Sequence, residues 1–151
     1  MQPQNENNIA AVTHLSALGQ YIFPFGNFIL PLLLWNFKKD QSEFIDKNGK
    51  QVLNFQFSIF LYTILILIIA VPILLFTILS TTTFDAAIEN HEWIFRNLDI
   101  GNHIYMLTIV ILAAILLATL KIVEFVYIIY GTLKASNGEY IKYPMSIRFI
   151  R

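Results

Sequence analysis

The run from Ile104 to Leu120 holds seventeen residues and no charged side chain. As a helix rising about 1.5 Å per residue it covers roughly 26 Å, close to a hydrocarbon core of ~30 Å. Inside lipid every backbone polar group must find its partner within the segment, so such a run restricts the chain to helical membrane architecture. Lys121 follows at once and Glu124 lies three residues further on, which puts both side chains on one helix face. A lysine at mid-bilayer costs about 2.5–3.5 kcal/mol on insertion scales, whereas one at the edge extends its ammonium to the headgroups. Glutamate is shorter and does this poorly. The pair is therefore either an interfacial ion pair that fixes helix depth and rotation, or a buried polar site for a proton, an ion or a partner helix.

The composition agrees with lipid. Hydrophobic residues make up 56% of the chain and charged residues 13%, against about 25% charged in soluble domains. A length of 151 residues suits one membrane domain, residues 1–151. Formal net charge is zero, which removes the electrostatic case for a nucleic-acid partner. With no cysteine, disulfides, thiolate nucleophiles and Cys-ligated metals are excluded. The N-terminal MQPQNENN lacks the basic region of a signal peptide.

Three apolar stretches predict three transmembrane helices, at about 9–37, 51–80 and 103–134. The first is broken at Pro24–Asn27: Pro24, Gly26, Asn27 and Pro31 fall within eight residues, and each proline removes a backbone hydrogen bond. A helix over Ile9–Ile22 and a second piece capped by Asn27 are expected. His14, near Ser16 and Gln20, reads either as a proton-linked switch or as an ordinary hydrogen-bonded residue. Residues 38–50 read as a polar loop with four lysines and a turn at Asn48–Gly49.

Asn54, Ser58 and Tyr62 recur every four residues and share a face of the second span. Laying spans two and three antiparallel, with Ser80 level with Tyr105, brings that face to Lys121 and Glu124. Tyr62 or Ser58 is then expected to hydrogen-bond Glu124, with Gly131 a point of close backbone approach. Residues 84–98, with Trp93, read as a short amphipathic helix on the bilayer surface. His91 and His103 lack the spacing of a metal pair, so no metal is expected. The third helix should stop at Ser136–Asn137–Gly138. Residues 139–151 mix Lys142, Arg148 and Arg151 with apolar side chains, as in a basic tail lying on an anionic membrane surface. Lys and Arg cluster in the first loop and after the third span. A bacterial cytoplasmic-membrane protein with its N-terminus outside and its C-terminus in the cytoplasm satisfies that bias.

Several pieces carry a resemblance. They are His14-Leu15-Ser16, Pro31-Leu32 through Trp35 with Lys38-Lys39-Asp40, Gly49-Lys50, Leu53-Asn54-Phe55-Gln56, Ala135-Ser136-Asn137-Gly138-Glu139-Tyr140 and Tyr143-Pro144. Over nearly the whole chain these resemble a family of small bacterial integral membrane proteins of unknown function. That family is similar to the small inner-envelope component of the chloroplast Tic protein-import machinery. The resemblance implies a helical membrane protein with no known enzymatic activity and a link to protein translocation, and it brings no catalytic residues.

Two functional readings follow. One is a non-enzymatic accessory or scaffold subunit whose partners are the lipid bilayer and another membrane protein or a second copy of itself. The other is a small oligomeric transporter or channel whose path uses the Lys121/Glu124 face with His14 and Asn54. No Gly-x-Ser-x-Gly, His-Glu-x-x-His or phosphate-loop motif is present, so neither a catalytic residue nor a cofactor is assigned.

Overall fold

The computed structural model describes residues 3–81 and 100–151, and among these the regular structure is entirely helical. The expected amphipathic helix at 84–98 lies outside the described residues. Helix α1 (Gln4–Leu15) runs into a 3-10 segment (Ser16–Tyr21). Helix α2 (Gly26–Lys38) follows, then a 3-10 turn (Lys39–Gln41), α3 (Glu43–Thr81) and α4 (Ile100–Ser136).

Among the described residues two helices, not three, are long and apolar enough to cross a membrane: Glu43–Phe76 and Leu107–Ser136. The first apolar stretch misses because it folds back on itself. α1 and α2 hold only 12 and 13 residues, and the chain reverses between the 3-10 segment and α2, where Gly26 packs against the Gly19 carbonyl. The second stretch also begins earlier than expected. Asn48 and Gly49 are helical, because α3 starts at Glu43 behind Ser42, whose Oγ accepts the Phe44 N–H at 3.1 Å. Gly49 serves close packing, not a turn. A Cβ there would stand 2.2 Å from Cδ1 of Trp35, whose indole N–H donates to Asp46 Oδ1 at 2.9 Å.

The chain divides into two compact units. One comprises residues 63–119, which include α3 from residue 63 and α4 up to residue 119. Its helical stretches 63–81 and 100–119 are each about 30 Å long and carry no Asp, Glu, Lys or Arg. Large apolar side chains such as Ile68, Ile69, Phe76, Ile111 and Leu116 are more than half exposed there. A surface of this kind is satisfied by lipid.

The other unit comprises residues 1–62 and 120–151. Here α1, the 3-10 segment and α2 pack against the first turns of α3 and the last turns of α4. Small residues allow the approach: Ala10, Ala11, Ala17 and Ala135 are buried in its core with Phe44, Val52, Leu53 and Ile128. Gly138, at φ 76°, ends α4 in the left-handed conformation, with the Glu139 N–H donating back to the Lys134 carbonyl at 3.0 Å. The tail then crosses α3, burying Ile141 and Tyr143 beside Phe55 and Ile59.

Candidate functional site

The unit of residues 1–62 and 120–151 has a polar heart. His14, Asn48, Gln56, Ser58 and Glu124 are all 1% exposed or less. Burial without partners would be costly, so where each hydrogen bond goes decides what the group can do.

His14 sits between two neighbours. Its Nε2 lies 3.0 Å from Asn48 Oδ1 and its Nδ1 lies 2.7 Å from the Tyr143 hydroxyl. The Asn48 amide nitrogen already donates to the Phe44 carbonyl at 2.9 Å. Its oxygen must therefore accept, which makes His14 Nε2 the protonated nitrogen and leaves Nδ1 to accept from Tyr143. The ring is neutral in this arrangement. Burial pushes the imidazole from 6.5 down to about 4, against a smaller opposing effect of the Asn48 bond. Burial likewise pushes the Tyr143 hydroxyl well above the ordinary phenol range. Phe55 stacks on Tyr143 at 4.3 Å, and Gly131 gives room for the hydroxyl, since a Cβ there would fall 2.2 Å from it.

The Asn54–Ser58–Tyr62 face exists but meets a different partner from the one expected. Asn54 Nδ2 donates to the Ile150 carbonyl at 2.9 Å, and its Oδ1 accepts the N–H groups of Phe149 and Ile150 at 3.0 and 2.7 Å. Ser58 Oγ donates to the Asn54 carbonyl and accepts the Ile147 N–H at 2.8 Å. Tyr62 donates to the Met145 carbonyl at 2.8 Å. Met145 itself is held at φ 60°, a conformation costly for a side chain with a Cβ. The face thus binds the tail as a strap, and the tail is packed onto α3 along its length. The three rungs use only tail backbone.

Glu124 bonds neither Tyr62 nor Ser58. Its Oε1 accepts from Gln20 Nε2 at 3.1 Å and its Oε2 from Lys121 Nζ at 2.7 Å, while Lys121 also reaches Gln20 Oε1 at 3.1 Å. The three side chains close a ring. Within it Glu124 is wholly buried and the Lys121 side chain is 47% exposed. The expected hydrogen bond is missing because the 3-10 segment of the first hairpin supplies Gln20 as the partner of Glu124.

The helix break is a tight backbone contact. Phe25 is left-handed at φ 63°, and a Cβ on Gly26 would lie 2.3 Å from the Gly19 carbonyl oxygen. Pro24 lies in the connection, and Pro31 is buried within α2. Asn27 does not cap α2. Its Nδ2 donates across to Gln56 Oε1 at 2.9 Å, and Gln56 Nε2 has no partner among the described residues. No group of three His, Asp or Glu among the described residues is placed to hold a metal ion.

A family model described as the magnetosome magnetite crystal formation protein family matches residues 5–150. The chain belongs to that family. The match runs through both units and covers every side chain of the polar heart. No curated protein and no solved structure matches the chain. Similarity to the chloroplast import component is not among these findings, and what stands from that resemblance is a small bacterial membrane-protein family.

Sequence reasoning missed Gln20, Asn48, Gln56 and Tyr143 as partners in this family member. The spacing of residues 54, 58 and 62 signalled a polar face. Nothing local signals that His14 meets a tyrosine 129 positions away.

Proposed function

We propose that the chain is a non-enzymatic accessory or scaffold protein of a bacterial membrane. In this reading the helical stretches 63–81 and 100–119 lie within lipid, and the unit of residues 1–62 and 120–151 carries its function in magnetite crystal formation. The observation behind this is the closed Gln20–Lys121–Glu124 ring. Both carboxylate oxygens and both ends of the glutamine amide are engaged within it, so the ring fixes geometry and ties the buried carboxylate to its neighbours. The exposed apolar side chains of the first hairpin, with Ile22 81% and Phe37 73% exposed, are what a lipid surface, a membrane-protein partner or a second copy would cover.

Two spans imply both termini on one side of the membrane. The lysines of residues 38–50 and the basic residues of the tail favour the cytoplasm for that side, so this reading moves the N-terminus from the outside, where three spans had it, to the inside. The transporter reading needs Lys121 and Glu124 to exchange partners during passage, and the closed ring disfavours it. Translocation has only the sequence resemblance behind it, and the family description names another process.

The test is complementation. A magnetite-forming host that lacks its own family member receives this chain, and crystal diameters are measured by electron microscopy. Restored diameters support the reading. A chain that reaches the membrane intact and leaves crystals unchanged refutes it.

A further inference from the structure

The strap creates a groove that the polar heart does not use. Between the first turns of α3 and the tail lies a space of about 630 Å³, within the roughly 300–1,000 Å³ usual for small-ligand sites. Five cations line it, Lys47, Lys50, Lys142, Arg148 and Arg151, against two carboxylates, Glu43 and Asp46, for a side-chain balance of 5 − 2 = +3. A terminal carboxylate on Arg151 would leave +2.

The acids are already spent. Glu43 pairs with Lys47 and Asp46 with Lys50, each at 2.6 Å. Lys142, Arg148 and Arg151 have no carboxylate partner among the described residues. Asn54 and Ser58 hold the tail through the backbone of residues 147, 149 and 150. The tail is therefore fixed in place while its cationic ends stay uncommitted, unlike a basic face whose cations pair with one another's neighbours. Gln51 adds an amide at the lining.

We propose that this groove binds a phosphate group. Two guanidinium forks and an ammonium suit a tetrahedral oxyanion, which accepts paired N–H donors. Two sources fit, a free phosphate compound or the headgroup of an anionic lipid. Met145, Ile147 and Phe149, exposed along the same strap, would lie against acyl chains in the second case.

The experiment uses the full chain in phosphatidylcholine nanodiscs. In one arm inorganic phosphate and glycerol 3-phosphate are titrated by calorimetry. In the other, discs are doped with phosphatidylglycerol, and lipid retained on the released protein is counted by native mass spectrometry. Wild type is compared with K142Q/R148Q/R151Q, with the charge-preserving K142R/R148K/R151K and with K38Q, a cation outside the groove. Soluble-phosphate binding that falls about tenfold or more in the neutralised triple variant alone supports the proposal with a free ligand. Phosphatidylglycerol retention lost in that variant alone, without soluble binding, supports it with a lipid. Binding of neither probe, equal binding by wild type and the triple variant, or equal loss in K38Q overturns it. The charge-preserving variant guards against misfolding: it must keep at least partial binding, and its complete failure alongside an intact strap also overturns the proposal.

Discussion

His14 donates its Nε2 proton to the side-chain oxygen of Asn48 at 3.0 Å, an oxygen left free because the Asn48 amide nitrogen is committed to the Phe44 carbonyl. Two residues 34 positions apart thereby settle which imidazole nitrogen carries the hydrogen and which receives the Tyr143 hydroxyl.

That relationship sets a pH dependence. The folded protein keeps His14 neutral down to about pH 4, whereas the unfolded chain takes up the proton near 6.5. Between those values the unfolded state binds more protons, so stability is full above about 6.5 and falls on acidification toward 4. The loss is roughly 3 kcal/mol, at about 1.4 kcal/mol per unit. Thermal unfolding of the chain in nanodiscs should show this slope, and His14→Asn should flatten it. A variant with the wild-type slope would show that another group titrates.

Gly131→Ala should destabilise by about 1–3 kcal/mol, the usual cost of overpacking. The added Cβ meets the Tyr143 hydroxyl at 2.2 Å and His14 Nδ1 at 3.1 Å. Tyr143→Phe removes the nearest clashing atom. In a double-mutant cycle the combined cost should fall below the sum of the single costs. Strict additivity would place the strain elsewhere.

Removing the lysine should hurt more than removing the acid. Lys121→Met leaves Glu124 buried with only Gln20 for company, and a cost of about 3 kcal/mol is expected. Glu124→Leu leaves a half-exposed lysine that can turn to water or headgroups. The double variant should recover most of the loss. Chemical denaturation of the three proteins tests this order, and a double variant worse than either single one contradicts it.

Asn54→Leu should free the end of the strap. Three hydrogen bonds vanish, worth about 2–3 kcal/mol together. Hydrogen exchange at Phe149 and Ile150 should accelerate while the amides of α1 stay protected. Ser58→Ala should loosen Ile147, and Tyr62→Phe should act only at the Met145 turn. Unchanged exchange at 149–150 in Asn54→Leu would mean that side-chain packing holds the tail instead.

Helical character and the polar face at residues 54, 58 and 62 were legible because both depend on spacing within one segment. Span number was not. Hydropathy sums over a stretch without seeing that Gly19 and Gly26 let it double back, so residues 9–37 read as one crossing where the chain instead turns between the 3-10 segment and α2. Asn48–Gly49 misled for a related reason. The dipeptide favours turns, but here the missing Cβ accommodates Trp35, and Ser42 had already started the helix. Glu124 was marked by its charge, yet its partner Gln20 comes from a segment 104 residues earlier, beyond the reach of any periodic argument.

Because Asn54, Ser58 and Tyr62 grip only main-chain atoms of the tail, attachment and side-chain identity are decoupled there. A change of side chain at Arg148 leaves every one of these hydrogen bonds in place. Closure of the helical unit and the chemistry it displays can then evolve on separate schedules, the first under the demands of folding and the second under those of whatever the groove meets.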